Sequence, residues 1–506
     1  MAHSQGKRRR LVTDIVRRGR LQNPPFPRRG NLLAALMTAS ALMLAAPGAA
    51  FASNKTGSAK TSGSAKAGSS TKAGKSSTGS RSAAHASSGS RASAKEARGG
   101  AGKSSVQAKG KKAALAETRT ASAAKPARRS APAASIQEAG SAEARLISVY
   151  EMFGRGQARP ALAKARDLVR DYPNFQLAQL VYGDLLAAQV PPTNSLPDTA
   201  GIAKMRGNPA MSELHEESRR RLQALRERPP AGTVPSQFLS LSTRSRYAIA
   251  VDASRSRLYL LENSDKGLKL VADYYISVGK SGTDKLTEGD ARTPLGVYYI
   301  TSSLDPKSLK DFYGAGALPI NYPNPYDVRR GRTGGGIWLH GTPPQQFARA
   351  PLASDGCVVM ANPDLKQLLR KVQIGATPVV TARSLQWISP PQAEKEAQTF
   401  TSAITAWKDT RASGNEAQLK KFYLPDFQRS NKKATEGISV HDEVEYAQGK
   451  RVQFKDMSYL HWRDGDDTMV ATFGEVFEGE KSGRTRRQYW LRQGSEWKLF
   501  HEEILG

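Results

Sequence analysis

The period of hydrophobic positions changes three times along the chain. From about residue 142 the spacing is helical. Leu146, Val149, Tyr150 and Phe153 share one face, and Leu162, Ala165, Leu168 and Val169 share a second. Asp171-Tyr172-Pro173-Asn174 breaks the period, and Leu177, Leu180, Val181 and Leu185 begin a third helix. Residues 191–245 contain prolines and one charged helix near 213–228, and read as a linker. From Tyr247 the period shortens to two. Ala248-Ile249-Ala250-Val251 and Leu258-Tyr259-Leu260-Leu261 flank a polar turn, which predicts a hairpin. Further strands are expected at 271–278, 297–300, 337–339 and 378–380. Short strands and glycine-rich turns predict an all-β sandwich or barrel over 246–384. After Pro390-Pro391 a helix is expected over 393–411 and another near 419–423, followed by strands at 452–462, 469–477, 488–492 and 497–501. A helix on a curved antiparallel sheet, an α+β cone, is expected over 392–506. The fold class is therefore multidomain.

The helical pattern over 141–190 resembles a single tetratricopeptide-type helix pair plus one helix. One such unit rarely stands alone, so it is expected to dock on the rest of the chain or on a protein partner. The phrases Tyr489-Trp490-Leu491-Arg492 and Trp497-Lys498-Leu499 resemble the nuclear transport factor 2-like fold. That fold serves many unrelated functions, so it implies none.

The first part of the chain has no folding period. Lys7-Arg8-Arg9-Arg10, an apolar stretch over 32–46 and the small-x-small triplet Ala50-Phe51-Ala52 read as an export signal over 1–52. The alternative is an uncleaved anchor. Residues 53–140 are Ser, Ala, Gly, Lys and Arg, which cannot bury a core and read as a disordered basic tail. The formal charge of +31 over 506 residues owes much to that tail. On a protein exported to the periplasm or cell envelope, an anionic wall polymer or membrane surface is the expected partner rather than nucleic acid. The chain has one cysteine, so it can form no internal disulfide and no thiolate zinc site; no cofactor or metal is expected.

That cysteine sits in a telling context. Ile337-Trp338-Leu339-His340-Gly341 is followed, after a loop, by Ala353-Ser354-Asp355-Gly356-Cys357-Val358-Val359-Met360. A strand delivers His340, and a glycine-containing turn presents the thiol. An imidazole next to a thiol makes a competent nucleophile, because it removes the proton. Such a base is expected to lower the thiol pKa. Backbone N–H groups at Gly356 and Cys357 are candidates for holding an oxyanion. Of the seven histidines, His3, His85, His215, His441, His461 and His501 all fall outside 246–384, which leaves His340 as the natural partner.

His-Gly, a loop and Ser-x-Gly-Cys closely resemble the catalytic motif of the L,D-transpeptidases. Gly289-Asp290-Ala291-Arg292-Thr293-Pro294-Leu295-Gly296 is similar to a second motif of that family. The resemblance implies a β-sandwich catalytic domain acting on peptidoglycan stem peptides, with Cys357 as nucleophile, His340 as base and Ser354 shaping the turn. The chain has Val359 where many members carry an arginine that is a plausible clamp for the substrate carboxylate. Arg332 and Arg349 are the candidates to replace it. The acceptor stays open between an amine, giving cross-links or protein attachment, and water, giving carboxypeptidase or amidase activity. A wall-binding scaffold without catalysis is the rival from another class.

Overall fold

The structure is a computed structural model that describes residues 141–189, 208–431, 435–436 and 439–505. The export signal read at 1–52, the basic tail at 53–140 and the first part of the linker lie outside the described residues. No described helix is long and apolar enough to cross a membrane.

Helices α1 (Ala142–Gly154), α2 (Ala158–Asp171) and α3 (Gln176–Ala187) follow the expected breaks. Ser141 caps α1 by accepting the Ala144 N–H. Leu146, Val149, Ala161, Ala165, Leu168, Leu177 and Val181 form a core that also takes in Tyr275, Phe347 and Ala361 of the β domain. The hairpin thus docks on the rest of the chain. The large apolar side chains exposed among the described residues are Leu286, Phe312, Val328, Leu352 and Ile374, and none lies on the hairpin. Its apolar faces meet the β domain, one of the two outcomes expected for it.

The charged helix expected near 213–228 is present, and it packs on the hairpin. Helix α4 (Pro209–Arg226) buries Glu217, Ser218, Arg221 and Ala224. Arg221 lies 2.8 Å from Glu143 of α1 and 2.7 Å from Glu217. Its guanidinium also sits 4.0 Å from the centre of the Tyr275 ring. A charged helix looks like a solvated one in sequence, but here opposite charges pair under cover. Two short strands follow, β1 (Val234–Pro235) and β2 (Phe238–Ser240).

The β domain contains β3 (Tyr247–Asp252), β4 (Arg257–Ser264), β5 (Gly267–Gly279), β6 (Gly296–Tyr299), β7 (Ala317–Pro319), β8 (Trp338–His340), β9 (Leu352–Ser354), β10 (Val358–Met360) and β11 (Pro378–Ala382). They form one nine-stranded sheet in the order β6-β11-β3-β4-β5-β10-β8-β7, with β9 added to β5. The expectation of an all-β sandwich needs two corrections. The strands are linked in one mixed sheet with parallel pairs, and two short helices are present, α5 (Pro325–Arg329) and α6 (Asn362–Leu369). Leu365 and Leu368 of α6 complete the core.

Alternation along the strands gives this sheet two buried faces. Ile249, Val251, Leu258 and Leu260 point into the domain's own core. Ala248, Ala250, Tyr259 and Leu261 point the other way, against Leu460, Trp462, Val470 and Tyr489 of the C-terminal domain.

Strand β12 (Trp387–Ile388) pairs with β1 and leads into helix α7 (Pro390–Ala412), capped by Ser389. Ala393, Ala397, Phe400, Ile404 and Trp407 form the helix's buried stripe. The second helix expected near 419–423 is shorter: α8 (Glu416–Leu419) runs into a 3-10 turn. Tyr423 already belongs to β13 (Tyr423–Ser430), where its hydroxyl accepts the Trp407 indole N–H at 3.0 Å. After β14 (Thr435–Glu436) and helix α9 (Val440–Ala447) come the long antiparallel strands β15 (Val452–Asp464), β16 (Asp466–Phe477), β17 (Arg484–Gln493) and β18 (Glu496–Ile504). The seven-stranded sheet has the order β14-β13-β18-β17-β16-β15-β2, so a strand from the linker edges it. A helix on a largely antiparallel sheet matches the expectation for this region, except that β13 pairs with β18 in parallel.

Candidate active site

Strands β8 and β10 are parallel neighbours, with Val358 opposite Leu339 and Val359 opposite His340. Leu339, Val358 and Met360 face the core. Side chains alternate, so His340 and Val359 face the other way, and Cys357, one residue ahead of β10, shares their side. The two residues expected to do the chemistry therefore stand on one face of adjacent strands, one diagonal apart.

His340 is buried and its Nδ1 lies 2.7 Å from the Gly341 carbonyl. A carbonyl only accepts, so the proton belongs on Nδ1 and Nε2 keeps its lone pair. Burial, helped by the charge of Arg349, pushes the imidazole pKa down to about 4, against the opposing bond to Gly341. The ring is neutral at ordinary pH. Tyr313 meets it edge-on at 5.1 Å between ring centres, and Phe312 lies at 5.8 Å.

Burial pushes the Cys357 thiol up, while the Trp338 backbone N–H and the charge of Arg349 pull it down. The thiol's contact is with the Gly336 carbonyl, a long one of 3.5 Å. The expected lowering of the thiol pKa by an imidazole partner is corrected here: desolvation outweighs every neighbour, and the resting pair is thiol and neutral imidazole. No hydrogen bond joins the two side chains among the described residues. Catalytic hydrogen bonds of this kind are often long or unaligned before substrate arrives.

The turn that presents Cys357 is held from several sides. The Ser354 hydroxyl donates to the Cys357 carbonyl at 2.6 Å and accepts the Gly356 N–H at 3.1 Å. That gives Ser354 the turn-shaping position expected of it. It also commits the Gly356 N–H, which removes one of the two expected oxyanion donors. Gly356 has φ +125°, and a Cβ there would meet the Arg292 carbonyl at 2.7 Å, so only glycine fits. Asp355 is exposed and pairs with Lys280 at 2.7 Å, pointing outward as its charge requires.

Three residues of the site carried no assigned role in the sequence. The Thr293 hydroxyl donates to the Gly356 carbonyl at 2.9 Å and accepts the Gly279 N–H at 2.9 Å, so the second motif buttresses the cysteine turn. In the same motif, burial raises the Asp290 carboxyl, but Lys285 and three backbone N–H groups outweigh it and hold the pKa at about 2. Asn362 accepts the Ala315 and Thr342 N–H groups and donates to the Thr342 carbonyl, fixing the chain beyond His340. Its position at the head of α6 reads as a helix start, which hides that role.

The two arginine candidates separate. Arg332 is buried between Asp284 at 2.8 Å and Asp327 at 3.3 Å, and also donates to the Leu295 carbonyl. It is a structural ion pair, which corrects its assignment to substrate. Arg349 is different. Its guanidinium lies 4.4 Å from the centre of the Phe312 ring, and among the described residues it has no ion pair or side-chain hydrogen bond. Its charge reaches both Cys357 and His340.

Residues 246–381 match the model of the YkuD family, the L,D-transpeptidase catalytic domain. Among curated proteins none matches the chain. Of solved structures, Bd1075 of Bdellovibrio bacteriovorus is 24% identical over 54% of this chain and 98% of its own, with a TM-score of 0.45. The helical cell shape determining protein Pgp2 of Campylobacter jejuni is 21% identical over 53% of this chain and 95% of its own, with a TM-score of 0.42. The family match ends at residue 381 and lends no support to the nuclear transport factor 2-like resemblance of the C-terminal region. The segment that carries both motifs, residues 246–381, is thus similar to the YkuD-type L,D-transpeptidase catalytic domain.

Proposed function

We propose that the protein modifies peptidoglycan by acyl transfer through Cys357. The observation that carries this is the placement of the only thiol and of His340 on one face of β8 and β10, with His340 held by Gly341 as a neutral base. The Cys357 sulfur attacks the carbonyl of the third stem residue as its proton passes to His340 Nε2. The C–N bond to the terminal D-Ala breaks, and that amine takes the proton. The thioester left on Cys357 is resolved by an acceptor amine, which restores the thiol. Arg349 holds the terminal carboxylate of the donor, since among the described residues it is a cation near Cys357 and His340 that has no ion pair. The Cys357 N–H holds the oxyanion, because the Gly356 N–H is committed to Ser354.

Peptidoglycan lies outside the cytoplasmic membrane, so this reading goes with export through the segment 1–52 and with a basic tail held on anionic wall or membrane. Purified protein incubated with disaccharide-tetrapeptide should release D-Ala. Mass spectrometry of the other product separates a cross-linked dimer, from transfer, from a tripeptide, from hydrolysis. Substrate left unchanged overturns the proposal in favour of a wall-binding scaffold.

A further inference from the structure

The loop that joins β8 to β9 carries Arg349. Asn362 and the Thr342 hydroxyl hold it from within the catalytic domain, and the middle of the loop is also held from the helical hairpin. The Asn174 side-chain amide donates to the Pro344 carbonyl at 2.9 Å, and the Phe347 N–H donates to the Asn174 carbonyl at 3.1 Å. The Phe175 ring stacks on Phe347 with centres 4.1 Å apart and planes 23° apart. On the other side, the Tyr275 hydroxyl donates to the Arg349 carbonyl at 2.9 Å. Arg221 of α4 covers both supports, at 4.0 Å from the Tyr275 ring centre and 5.4 Å from that of Phe175.

These contacts matter because, among the described residues, no ion pair or side-chain hydrogen bond fixes the Arg349 guanidinium. A guanidinium without an acid partner is placed by its backbone and by the ring it lies on. The backbone on its N-terminal side is anchored by the turn between α2 and α3, the same Asp-Tyr-Pro-Asn break that the sequence marks as the end of a helix. We infer that this hairpin turn is a positioning element of the active site, with Asn174 and Phe175 setting the loop that aims Arg349. The hairpin thereby governs how well the cleft takes a peptide ending in a free carboxylate. This rests on the proposed acyl transfer for its consequence, and on geometry alone for the anchoring.

The two are tested separately in full-length protein carrying Phe175→Ala or Asn174→Ala. Hydrogen exchange over 342–351 should quicken in both variants while β3 to β5 stay protected. With disaccharide-tetrapeptide, Phe175→Ala should raise KM by roughly tenfold, as expected when a binding group is displaced, with kcat within about twofold. Asn174→Ala should show a smaller rise in the same direction. Because both act through Arg349, adding either to Arg349→Ala should raise KM no further. Alkylation of Cys357 by iodoacetamide should change no more than it does in Arg349→Ala, whose lost charge is the one effect expected on the thiol, whereas a general loosening of the domain would change it further. Asn174→Ala removes one partly exposed amide and leaves the hairpin core intact, so it stays informative if Phe175→Ala unfolds. Unchanged exchange over 342–351, or KM effects that add to those of Arg349→Ala, overturns the inference. Faster exchange in a protein that turns over no peptide keeps the anchoring and removes the proposed function instead.

Discussion

The candidate active site and the interior of the C-terminal domain both gather charged and aromatic side chains, and they use them in opposite ways. In the C-terminal interior, buried Arg486 lies against Glu443, Glu475 and Glu502, Arg411 against Glu443 and Glu475, and Arg429 against Glu443 and Glu502. Gln488 adds a hydrogen bond to Glu502, and Trp407 and Trp490 fill the space between helix and sheet. Each charge there answers another. At the candidate site, among the described residues, Arg349 has no ion pair, His340 Nε2 has no hydrogen bond, and Cys357 has a long contact to the Gly336 carbonyl and the Trp338 backbone N–H. The scaffold of the cleft is tightly bonded, but the groups on its surface are not. A functional site is marked less by the kinds of residue present than by which of them the fold leaves with bonding capacity.

That contrast is broken most severely by Cys357→Ala. Turnover should be lost altogether, because no other thiol exists to form the acyl-enzyme. Stability should change by only about 1 kcal/mol, the scale of a small deletion in a buried site. Assay on tetrapeptide together with a thermal melt checks both parts. Arg486→Met makes the opposite trade. It leaves three buried glutamates short of a partner and should destabilise the C-terminal domain by about 3–5 kcal/mol. Denaturant titration reads this, and Cys357 alkylation below the transition should keep its wild-type rate. Arg349→Met is the mirror case in the cleft. It should alter stability by less than about 0.5 kcal/mol, since no ion pair is lost, and should raise KM for peptides with a free terminal carboxylate.

The next largest effect concerns pH. His340 is neutral in the fold with a pKa near 4, so the acid limb of kcat/KM should fall near pH 4 rather than near the usual histidine value. Stability has a matching sign. His340 and His501 are both pushed down to about 4 by burial, so the unfolded chain binds more protons between that value and the ordinary one of about 6.5. Their share of stability is intact above the unfolded pKa and drains away as pH falls toward 4. Melting curves from pH 7 downward test this. The smallest effect belongs to Asp355→Asn. Its partner Lys280 and the carboxylate are both exposed, so stability should shift by less than about 1 kcal/mol. The thiol pKa, measured by alkylation, should move slightly down, since the Asp355 charge raises it.

Local features of the fold were legible and distant ones were not. His340, Gly356 and Cys357 were readable because one strand, one turn and one short motif place them. The hairpin breaks and the long C-terminal strands were readable for the same reason: period and turn residues act over a few positions. Arg332 and Arg349 were indistinguishable, because the acids that engage Arg332 lie 48 residues before it and 5 residues before it, and sequence does not say which acids turn inward. Thr293 reaches Gly356 across 63 residues, and Asn174 reaches Pro344 across 170, so neither role shows in a local pattern. The charged helix α4 was legible but its packing was not, because its buried charges look like surface charges. The thiol pKa was misjudged because a neighbour can be read from a motif, while burial cannot.

The most direct test of the cleft as an acyl-transfer site is intact-mass measurement of the protein after exposure to a carbapenem, whose strained amide acylates a competent thiol. A single adduct should form near neutral pH, map to Cys357, be absent from Cys357→Ala and form far more slowly in His340→Ala. An adduct that persists in Cys357→Ala, or one that forms at the wild-type rate in His340→Ala, contradicts the assignment of nucleophile and base.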